Sequence, residues 1–361
     1  MGQTDDKNSP SQEEILHLFD SPDLYVEDMN WQSGDASCLR MSRESYSASS
    51  FLDNRAVVAD ADTHTIRLPI SALMRAYRDK QPPARPLRII AHTALCGSTL
   101  LCRCLDLPGH CLPYKEPYLL HKLSGIWRLG LQDKLQASLA AAGPPILELA
   151  VALANRSYDV AEQPLIKLTD SCTSLLPTLL GHYPDSRILL MYSDLESFLV
   201  AMLRSPGRRE FARNMLTRSR LDLTAVGMGR LVRDEDLGDG RCVALVWLSL
   251  MYPFLRLLAS VPQRVRSLKS DVLFSSPLET VASVDTFFGL DIGENRLRSH
   301  LQAGILSRDE MQRTVSFVIE LRRAEQKAAA NQFRDEIDDA LEWAGSITAD
   351  APIPANLPYP V

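Results

Sequence analysis

The chain has 361 residues and a net charge of -6, with 45% hydrophobic residues, 23% charged residues, 17 glycines and 22 prolines. These values are ordinary for a globular protein and exclude a collagen-like, disordered or disulfide-scaffold chain. The acidic balance leaves no overall basic field that could hold nucleic acid, so any anion must be bound by local groups.

The first residues of the chain and its cysteines indicate the cellular compartment in which the protein is expected. Residues 1–14, MGQTDDKNSPSQEE, are acidic and polar, so they do not resemble a secretory signal. No run approaches the roughly 20 apolar residues of a membrane span. Seven cysteines, an odd number, in a long chain without an export signal are typical of reduced thiols. We therefore expect a cytoplasmic protein without a membrane span.

Four of the cysteines, Cys96, Cys102, Cys104 and Cys111, fall close together. Zinc sites use paired ligands at CxxC or HxxxH spacing, and these positions do not have it. We expect small thiols packed on a helix, and no metal.

The first part of the chain differs from the rest in composition and in its predicted secondary structure. Residues 1 to about 36 are acidic, and the first ten are predicted to be disordered. LYVEDMNW (24–31) and AVVADADTHTIRLP (56–69) are predicted to form short strands. The proline-rich QPPARP at 81–86 marks a boundary. We therefore predict a partly disordered appendage over 1–85 and one catalytic-type domain over 86–361.

Strands and helices alternate from there on. LRIIAH (87–92) is predicted as a buried strand, followed by a tight loop and a helix, and CLPYKEP (111–117) as a second extended piece. Further strands are predicted over 164–169, 187–192 and 264–269, and helices over 145–155, 172–182 and 195–204. This alternation predicts a three-layer α/β/α fold with a mostly parallel central sheet. The charged tail Arg308–Trp343 is typical of an exposed amphipathic helix pair.

The loop after the first core strand, Cys96-Gly97-Ser98-Thr99-Leu100, has the place and composition of an anion site. Ligands of parallel sheets bind where strands end, and Gly97 would let helix amides and the two hydroxyls approach a phosphate. The same triplet is also an ordinary helix N-cap. The lysine of the GxxxxGK[ST] motif is missing, because Ser98 follows the glycine, and this disfavours an ATP or GTP enzyme.

These residues belong to an ordered series that resembles the sulfotransferases that use 3'-phosphoadenosine-5'-phosphosulfate (PAPS), especially their bacterial branch with a GSTLL loop. The series comprises CGSTLL (96–101), KEP (115–117), IKLT (166–169), MYSDLESFLVAMLRS (191–205), Trp247 and LKSDVLFSSPLETVASVDTFFGL (268–290). The resemblance covers residues 87 to about 290 and implies a P-loop NTPase-like sulfotransferase fold.

The resemblance also implies a reaction. A sulfuryl group would pass from PAPS to a hydroxyl or amine of a small-molecule or glycan acceptor by in-line displacement, without a metal. Glu116 holds the position of the family's catalytic base, although a Glu-Pro pair is elsewhere a common surface turn. Lys167, on an otherwise apolar strand, would contact the donor or pair with Glu116 or Asp170.

Three phosphate contacts of the family are missing from this chain. Leu95 replaces a Lys or Arg, Ser193 replaces the Arg of Arg-Asp-Pro, and Ala201 replaces a Ser. Each charge-assisted bond would contribute about 1.5–3 kcal/mol. Eight arginines between 204 and 233 suggest a replacement, with Arg204 as the first candidate and Ser193 still beside the donor. Such an arginine run is equally typical of a solvated helix face.

Two alternatives therefore remain open. One is a non-catalytic descendant that keeps the fold as a nucleotide-binding or scaffold module, which the missing phosphate contacts favour. The other is a transferase of the same fold with a different phosphate-bearing donor, such as a kinase. The retained Gly97, Ser98, Thr99, Glu116 and Lys167 favour the sulfotransferase.

Overall fold

The computed structural model describes residues 12–53, 55–60, 65–139, 145–233, 237–303 and 319–361. The predicted disordered end at 1–10 and the first part of the predicted tail helices lie outside these residues. The strands are β1 Leu24–Asn30, β2 Asp35–Arg40, β3 Ile66–Pro69, β4 Arg88–His92, β5 Cys111–Lys115, β6 Gln163–Lys167, β7 Arg187–Tyr192 and β8 Val265–Lys269.

The helices of the described residues complete the element order. They are α1 Gln12–His17, α2 Arg43–Ala48, α3 Ile70–Lys80, α4 Ser98–Leu105, α5 Tyr118–Arg128, α6 Gln132–Leu139, α7 Ile146–Leu153, α8 Leu176–His182, α9 Leu195–Leu203, α10 Pro206–Arg218, α11 Arg220–Ala225, α12 Asp239–Ser260, α13 Ser270–Ser275, α14 Pro277–Phe288, α15 Glu294–Gln302, α16 Ile319–Gln332 and α17 Arg334–Ile347. Two short 3-10 helices cover Asp170–Leu175 and Leu231–Arg233.

The central sheet has five strands in the order β5-β6-β4-β7-β8. The pairs β5/β6 and β7/β8 are parallel, with Lys115 opposite Lys167 and Tyr192 opposite Lys269. Every residue of β5 and all but the first of β7 are buried, because helices flank a parallel sheet and leave no solvated strand face. The predicted α/β fold with a mostly parallel sheet is confirmed, as are the predicted core strands.

A second, antiparallel sheet with the order β1-β2-β3 lies in the N-terminal part of the chain. The strand predicted over 24–31 is confirmed as β1. The one predicted over 56–69 appears only at its end, as β3, and residues 61–64 lie outside the described part. Strand β2 was not predicted from the sequence, because its six residues, with small Ala36 and Cys38 on the buried side, carry a weak apolar pattern.

Contacts divide the chain into two compact units. The first contains residues 1–89, 105–186 and 289–292, and the second contains 90–104, 187–288 and 293–361. In the first unit the N-terminal segment is hydrogen-bonded to β5, because the Leu52 amide donates to the Lys115 carbonyl at 2.6 Å. Arg43 of the same segment forms ion pairs with Asp106 and Glu162, which precede β5 and β6, each at 2.7 Å. The predicted domain boundary at residue 85 stays a prediction.

The second unit is built around α12, which contacts α9, α10 and α17. Within the described residues α12 is the one helix that is long and apolar enough, by length and composition, to cross a bilayer. However, 72% of its apolar window is buried inside the protein, as in the core helix of a globular domain.

Candidate active site

Glu116 and Lys167, the two predicted catalytic residues, are brought together at the carboxyl ends of β5 and β6. The register that sets Lys115 opposite Lys167 lets the Glu116 amide donate to the Lys167 carbonyl at 2.7 Å. The Lys167 ammonium donates to Oε1 of Glu116. Their side chains are only 8% and 1% exposed, so this is a buried ion pair.

The backbone at Glu116 is strained. Its φ is +59°, in the left-handed region that costs an L-residue about 1–2 kcal/mol. This conformation follows the last residue of β5 and ends the strand at the edge where parallel sheets place their ligands. Strain that surrounding structure maintains at such a position is typical of functional sites.

A second cation, which was not predicted from the sequence, contacts the other carboxylate oxygen of Glu116. Nη2 of Arg55 lies 2.6 Å from Oε2 of Glu116, and its Nε lies 2.6 Å from Oδ2 of Asp53. Both cations contact the Phe51 ring, with Arg55 Cζ 4.5 Å and Lys167 Nζ 5.2 Å from its centroid. Asp53 and Arg55 lie in no motif, so no sequence signal pointed to them.

Two cations, Lys167 and Arg55, lie against the Glu116 carboxylate. Burial, the largest single cause, would lower the pKa of the Arg55 guanidinium, but the carboxylates of Glu116 and Asp53 together outweigh burial and raise that pKa. Two cations on one carboxylate likewise favour the charged carboxylate. An ionised carboxylate is the form that can accept a proton. The Arg55 side chain is 53% exposed, so it covers Oε2 from the solvent side.

Lys115 does not join this cluster. It is fully buried, and its ammonium donates to the carbonyls of Tyr46 and Ser47 at 2.7 and 3.2 Å, where α2 ends. Its neighbour Glu116 has the left-handed backbone, and the two side chains have separate partners. Lys115 therefore anchors the N-terminal segment on β5.

The predicted phosphate loop joins β4 to α4 in the second unit. Ala94, Leu95 and Gly97 all have left-handed backbones, with φ of +63°, +50° and +87°. A Cβ at Gly97 would lie 2.9 Å from Cζ of Phe274, so any larger residue would have to displace that ring or the loop. Cys96 is buried, with its thiol 3.6 Å from the Met191 carbonyl.

The loop offers unused hydrogen-bond donors. Helix α4 begins at Ser98, so the amides of Ser98, Thr99 and Leu100 belong to a first turn that has no intrahelical acceptors. The Ser98 and Thr99 side chains are buried, and neither hydroxyl has a hydrogen-bond partner among the described residues. These groups could hold an anion without any change of backbone.

Ser193, a predicted donor-binding residue, is buried and already bonded. Its amide donates to Oγ1 of Thr93 at 3.3 Å, and its carbonyl accepts from the Trp247 indole at 2.9 Å. The Ser270 hydroxyl donates to its Oγ at 3.4 Å. The next residue, Asp194, caps α9 by accepting from the Ser197 amide at 2.8 Å.

Arg204, the other predicted phosphate ligand, lies at the end of α9. Its Nη1 is 3.1 Å from Oε2 of Glu325, and the two side chains are 33% and 52% exposed. Arg209 and Arg213 both face Asp239, at 3.7 and 2.6 Å. Three members of the arginine run thus form ion pairs within the protein, as on a solvated helix face, and exposed pairs of this kind contribute at most about 1 kcal/mol.

The cysteines and acidic residues that the structure describes form no metal centre. The four clustered thiols are buried and free. Among the described residues, no group of three His, Cys, Asp or Glu side chains could hold a metal ion.

Comparisons with known proteins gave weak structural likenesses. No family model and no curated protein matches the chain. It is similar to a sulfotransferase domain from the curacin biosynthetic pathway, over 69% of this chain and 98% of that one, with 15% identity and a TM-score of 0.39. It is likewise similar to a sulfotransferase from Alicyclobacillus acidocaldarius, over 61% of this chain and 91% of that one, with 16% identity and a TM-score of 0.33. A sulfotransferase from Mycobacterium avium is similar over 73% of this chain and 82% of that one, with 14% identity and a TM-score of 0.34.

Proposed function

We propose that this protein is a sulfotransferase-like enzyme that moves a sulfuryl group from PAPS to an acceptor hydroxyl or amine. The observation that carries the proposal is the buried Glu116–Lys167 pair, held on a strained backbone where β5 ends. A buried pair of charges is costly to assemble and contributes little net stability, which favours a chemical role over a structural one.

In this reaction the acceptor oxygen or nitrogen forms a bond to the sulfur of PAPS. The bond between that sulfur and the bridging phosphate oxygen breaks, and adenosine 3',5'-bisphosphate leaves with the electron pair. The acceptor's proton passes to a Glu116 oxygen. Lys167 stays on Oε1, so Oε2 is the oxygen that takes the proton once the exposed Arg55 moves aside.

The residues of the loop partly fit such a donor. The first amides of α4 and the free hydroxyls of Ser98 and Thr99 suit the 5'-phosphosulfate. The 3'-phosphate has fewer partners, because Ser193 is bonded inside the protein. Arg204 can serve here, since its exposed pair with Glu325 is weak enough to be exchanged for a phosphate.

The remaining expectations extend the same proposal. The acceptor would be a small molecule or a glycan rather than nucleic acid, because the net charge of -6 provides no basic field. The seven free, buried thiols are compatible with a reducing cytoplasm.

The donor is tested first by thermal unfolding with PAPS, adenosine 3',5'-bisphosphate, ATP and GTP, each with and without Mg²⁺. A nucleotide at 100 times its dissociation constant adds about 2.7 kcal/mol of stability. We expect stabilisation by the first two, independent of Mg²⁺, and conversion of PAPS to adenosine 3',5'-bisphosphate with a panel of alcohol, phenol and amine acceptors. Stabilisation by ATP or GTP alone would show that the donor is wrong.

A second candidate is a non-catalytic nucleotide-binding module of the same fold. The observation that favours it is the occupation of both Glu116 oxygens, by Lys167 and Arg55. This candidate predicts that PAPS binds to the protein without being consumed with any acceptor. The same acceptor panel therefore separates the two functions.

A further inference from the structure

Two consecutive residues of the loop between β4 and α4 have a backbone conformation that L-residues rarely adopt. Ala94 and Leu95 have φ of +63° and +50°, and Gly97, which follows closely, has a φ of +87°. A glycine adopts such angles without steric cost, whereas an alanine and a leucine do not. Contacts from the surrounding structure must therefore hold this part of the loop in place.

One of these contacts is made by the imidazole of His92, the last residue of β4. Its Nδ1 accepts a hydrogen bond from the Ala94 amide at 3.0 Å, and the side chain of His92 belongs to a residue that is only 5% exposed. The Thr93 amide between them donates to the Met191 carbonyl of β7 at 3.1 Å. Strand β7 thus fixes the residue before the left-handed stretch, and His92 fixes the first residue within it.

The direction of this hydrogen bond determines the state of the imidazole. A backbone amide can only donate, so Nδ1 of His92 has to present its lone pair and carries no proton. The ring is therefore the neutral tautomer with its proton on Nε2, because an imidazolium has protons on both nitrogens and cannot accept. A side chain of similar size without an acceptor atom would remove this partner from the buried Ala94 amide, which is costly.

The loop that His92 holds leads directly into the groups proposed to bind the donor. Ser98 and Thr99 are 4% and 6% exposed, and their hydroxyls have no hydrogen-bond partner among the described residues. Amides and hydroxyls at a helix N-terminus bind an anion well when they are oriented before the ligand arrives, since ordering them on binding costs affinity. A displacement of the loop at Ala94 would therefore weaken anion binding four and five residues further on.

We propose that His92 is a positioning residue of the donor site, whose neutral imidazole keeps the loop before α4 in the conformation that binds the 5'-phosphosulfate. His92 acts through the Ala94 amide and takes no part in the transfer itself. It lies outside the CGSTLL series, which begins at Cys96. The proposal rests on the proposed function for the identity of the donor, but the tautomer of His92 can be measured without any ligand.

The first test determines this tautomer in the protein without ligand, by long-range ¹H–¹⁵N correlation spectra of the histidine rings at neutral pH. The signals of His92 are those that disappear in His92→Asn. We expect an unprotonated Nδ1 and a protonated Nε2 in the folded protein. A protonated Nδ1 would overturn the proposal, because that nitrogen could not accept from the Ala94 amide.

The second test compares substitutions of His92 by calorimetry with adenosine 3',5'-bisphosphate. The side-chain oxygen of His92→Asn can accept from the amide two residues on, so this variant should bind within about threefold of the parent. His92→Leu has no acceptor, so its affinity should fall at least about tenfold. His182→Asn is the matched control, since the His182 side chain is 51% exposed on α8, and it should bind as the parent does.

A double substitution shows whether His92 acts through residue 94. In Ala94→Gly the left-handed angle no longer has to be maintained against an L-side chain. Adding His92→Leu to Ala94→Gly should therefore reduce affinity clearly less than it does in the parent. Equal losses in the two backgrounds would show that His92 does not act through this residue, and would overturn the proposal.

The outcomes separate this proposal from the proposed function. A parent protein that does not bind adenosine 3',5'-bisphosphate would contradict the donor, and the tautomer would still decide whether His92 holds the loop. Where the parent binds, full affinity in His92→Leu, or an equal loss in His92→Asn and His92→Leu, would overturn the positioning role. If His92→Leu does not fold, the decision rests on the tautomer and on His92→Asn, in which a loss of tenfold or more would be equally decisive against it.

Discussion

At the scale of single residues, the proposed reaction depends on Glu116. In Glu116→Gln the amide cannot take the acceptor's proton, so transfer should fall by about 10²–10⁴-fold. Because Lys167 loses its carboxylate inside the protein, stability should also fall, by about 3–5 kcal/mol. Turnover of PAPS and urea denaturation measure the two effects.

The matched control for this substitution is Glu279→Gln, since Glu279 is exposed on the first turn of α14. It should change neither activity nor stability by more than a small amount. Affinity for adenosine 3',5'-bisphosphate, measured on folded Glu116→Gln protein, should match that of the parent. Full transfer activity in Glu116→Gln would eliminate it as the base.

Half of this residue cluster could be predicted from the sequence. Glu116 and Lys167 stand in short motifs on adjacent strands, and a parallel pair brings its two carboxyl ends together. Arg55 and Asp53 could not be predicted, because they reach Glu116 through a loop of the N-terminal segment that no local pattern ties to β5. Tertiary hydrogen bonds fix that loop in place, from the Leu52 amide to the Lys115 carbonyl and from the Tyr25 hydroxyl to the Leu52 carbonyl.

At the scale of elements, the loop before α4 should tolerate no side chain at Gly97. In Gly97→Ala the methyl group would lie 2.9 Å from Phe274 at a φ of +87°. The left-handed backbone alone costs about 1–2 kcal/mol, and shifting the loop would displace the amides proposed to bind the donor. We expect lower thermal stability and a loss of PAPS affinity of at least about tenfold.

Two variants separate strain from contact in this loop. Gly97→Ala combined with Phe274→Leu relieves the contact but not the φ, so part of the stability should return. Gly345→Ala, in the last turn of α17 where a Cβ would meet nothing within 4 Å, should stabilise the protein by up to about 1 kcal/mol and leave nucleotide binding unchanged. Unchanged PAPS affinity in Gly97→Ala would contradict the donor-binding role of the loop.

The end of α9 provides an independent test of the donor. If Arg204 holds the 3'-phosphate, Arg204→Ala should weaken the binding of adenosine 3',5'-bisphosphate, measured by calorimetry, by about 10–100-fold. Glu325→Ala frees the same guanidinium from its ion pair, so it should keep or improve affinity. Arg241→Ala, which breaks the exposed pair with Asp339, is the matched surface control. Equal affinity in Arg204→Ala and Arg241→Ala would exclude Arg204.

At the scale of the whole molecule, the central sheet followed from chain order alone. Apolar β-branched runs separated by helical stretches require right-handed crossovers, and these lead to a parallel sheet. The N-terminal segment could not be predicted in the same way. Its bonds to β5 depend on buried charges such as Arg43 and Lys115, which form ion pairs only after distant parts of the chain have folded.

The seven cysteines report on the integrity of the whole fold, because all of them are free and buried. Burial raises the pKa of Cys38 and of Cys104 to about 12, and that of Cys172 and of Cys242 to about 11. The thiolate is the reactive form, so native protein near pH 8 should react slowly with a thiol reagent, whereas denaturant should expose seven thiols at once. Rapid labelling of any thiol in the native protein would contradict this burial.

The four thiols with a raised pKa, Cys38, Cys104, Cys172 and Cys242, determine the sign of an alkaline effect on stability. Their ordinary pKa is 9.0, and the folded protein keeps their protons to a higher pH than the unfolded chain does. Above pH 9 the unfolded state therefore binds fewer protons than the native state, and the free energy of unfolding must decrease as the pH rises toward 11 or 12. Urea denaturation at pH 7, 9 and 10 measures the loss. Cys104→Ala removes one of the contributing thiols, so the stability of this variant should fall less steeply over this pH range than that of the parent. The small cavity left by the substitution should also lower the stability of the variant at every pH.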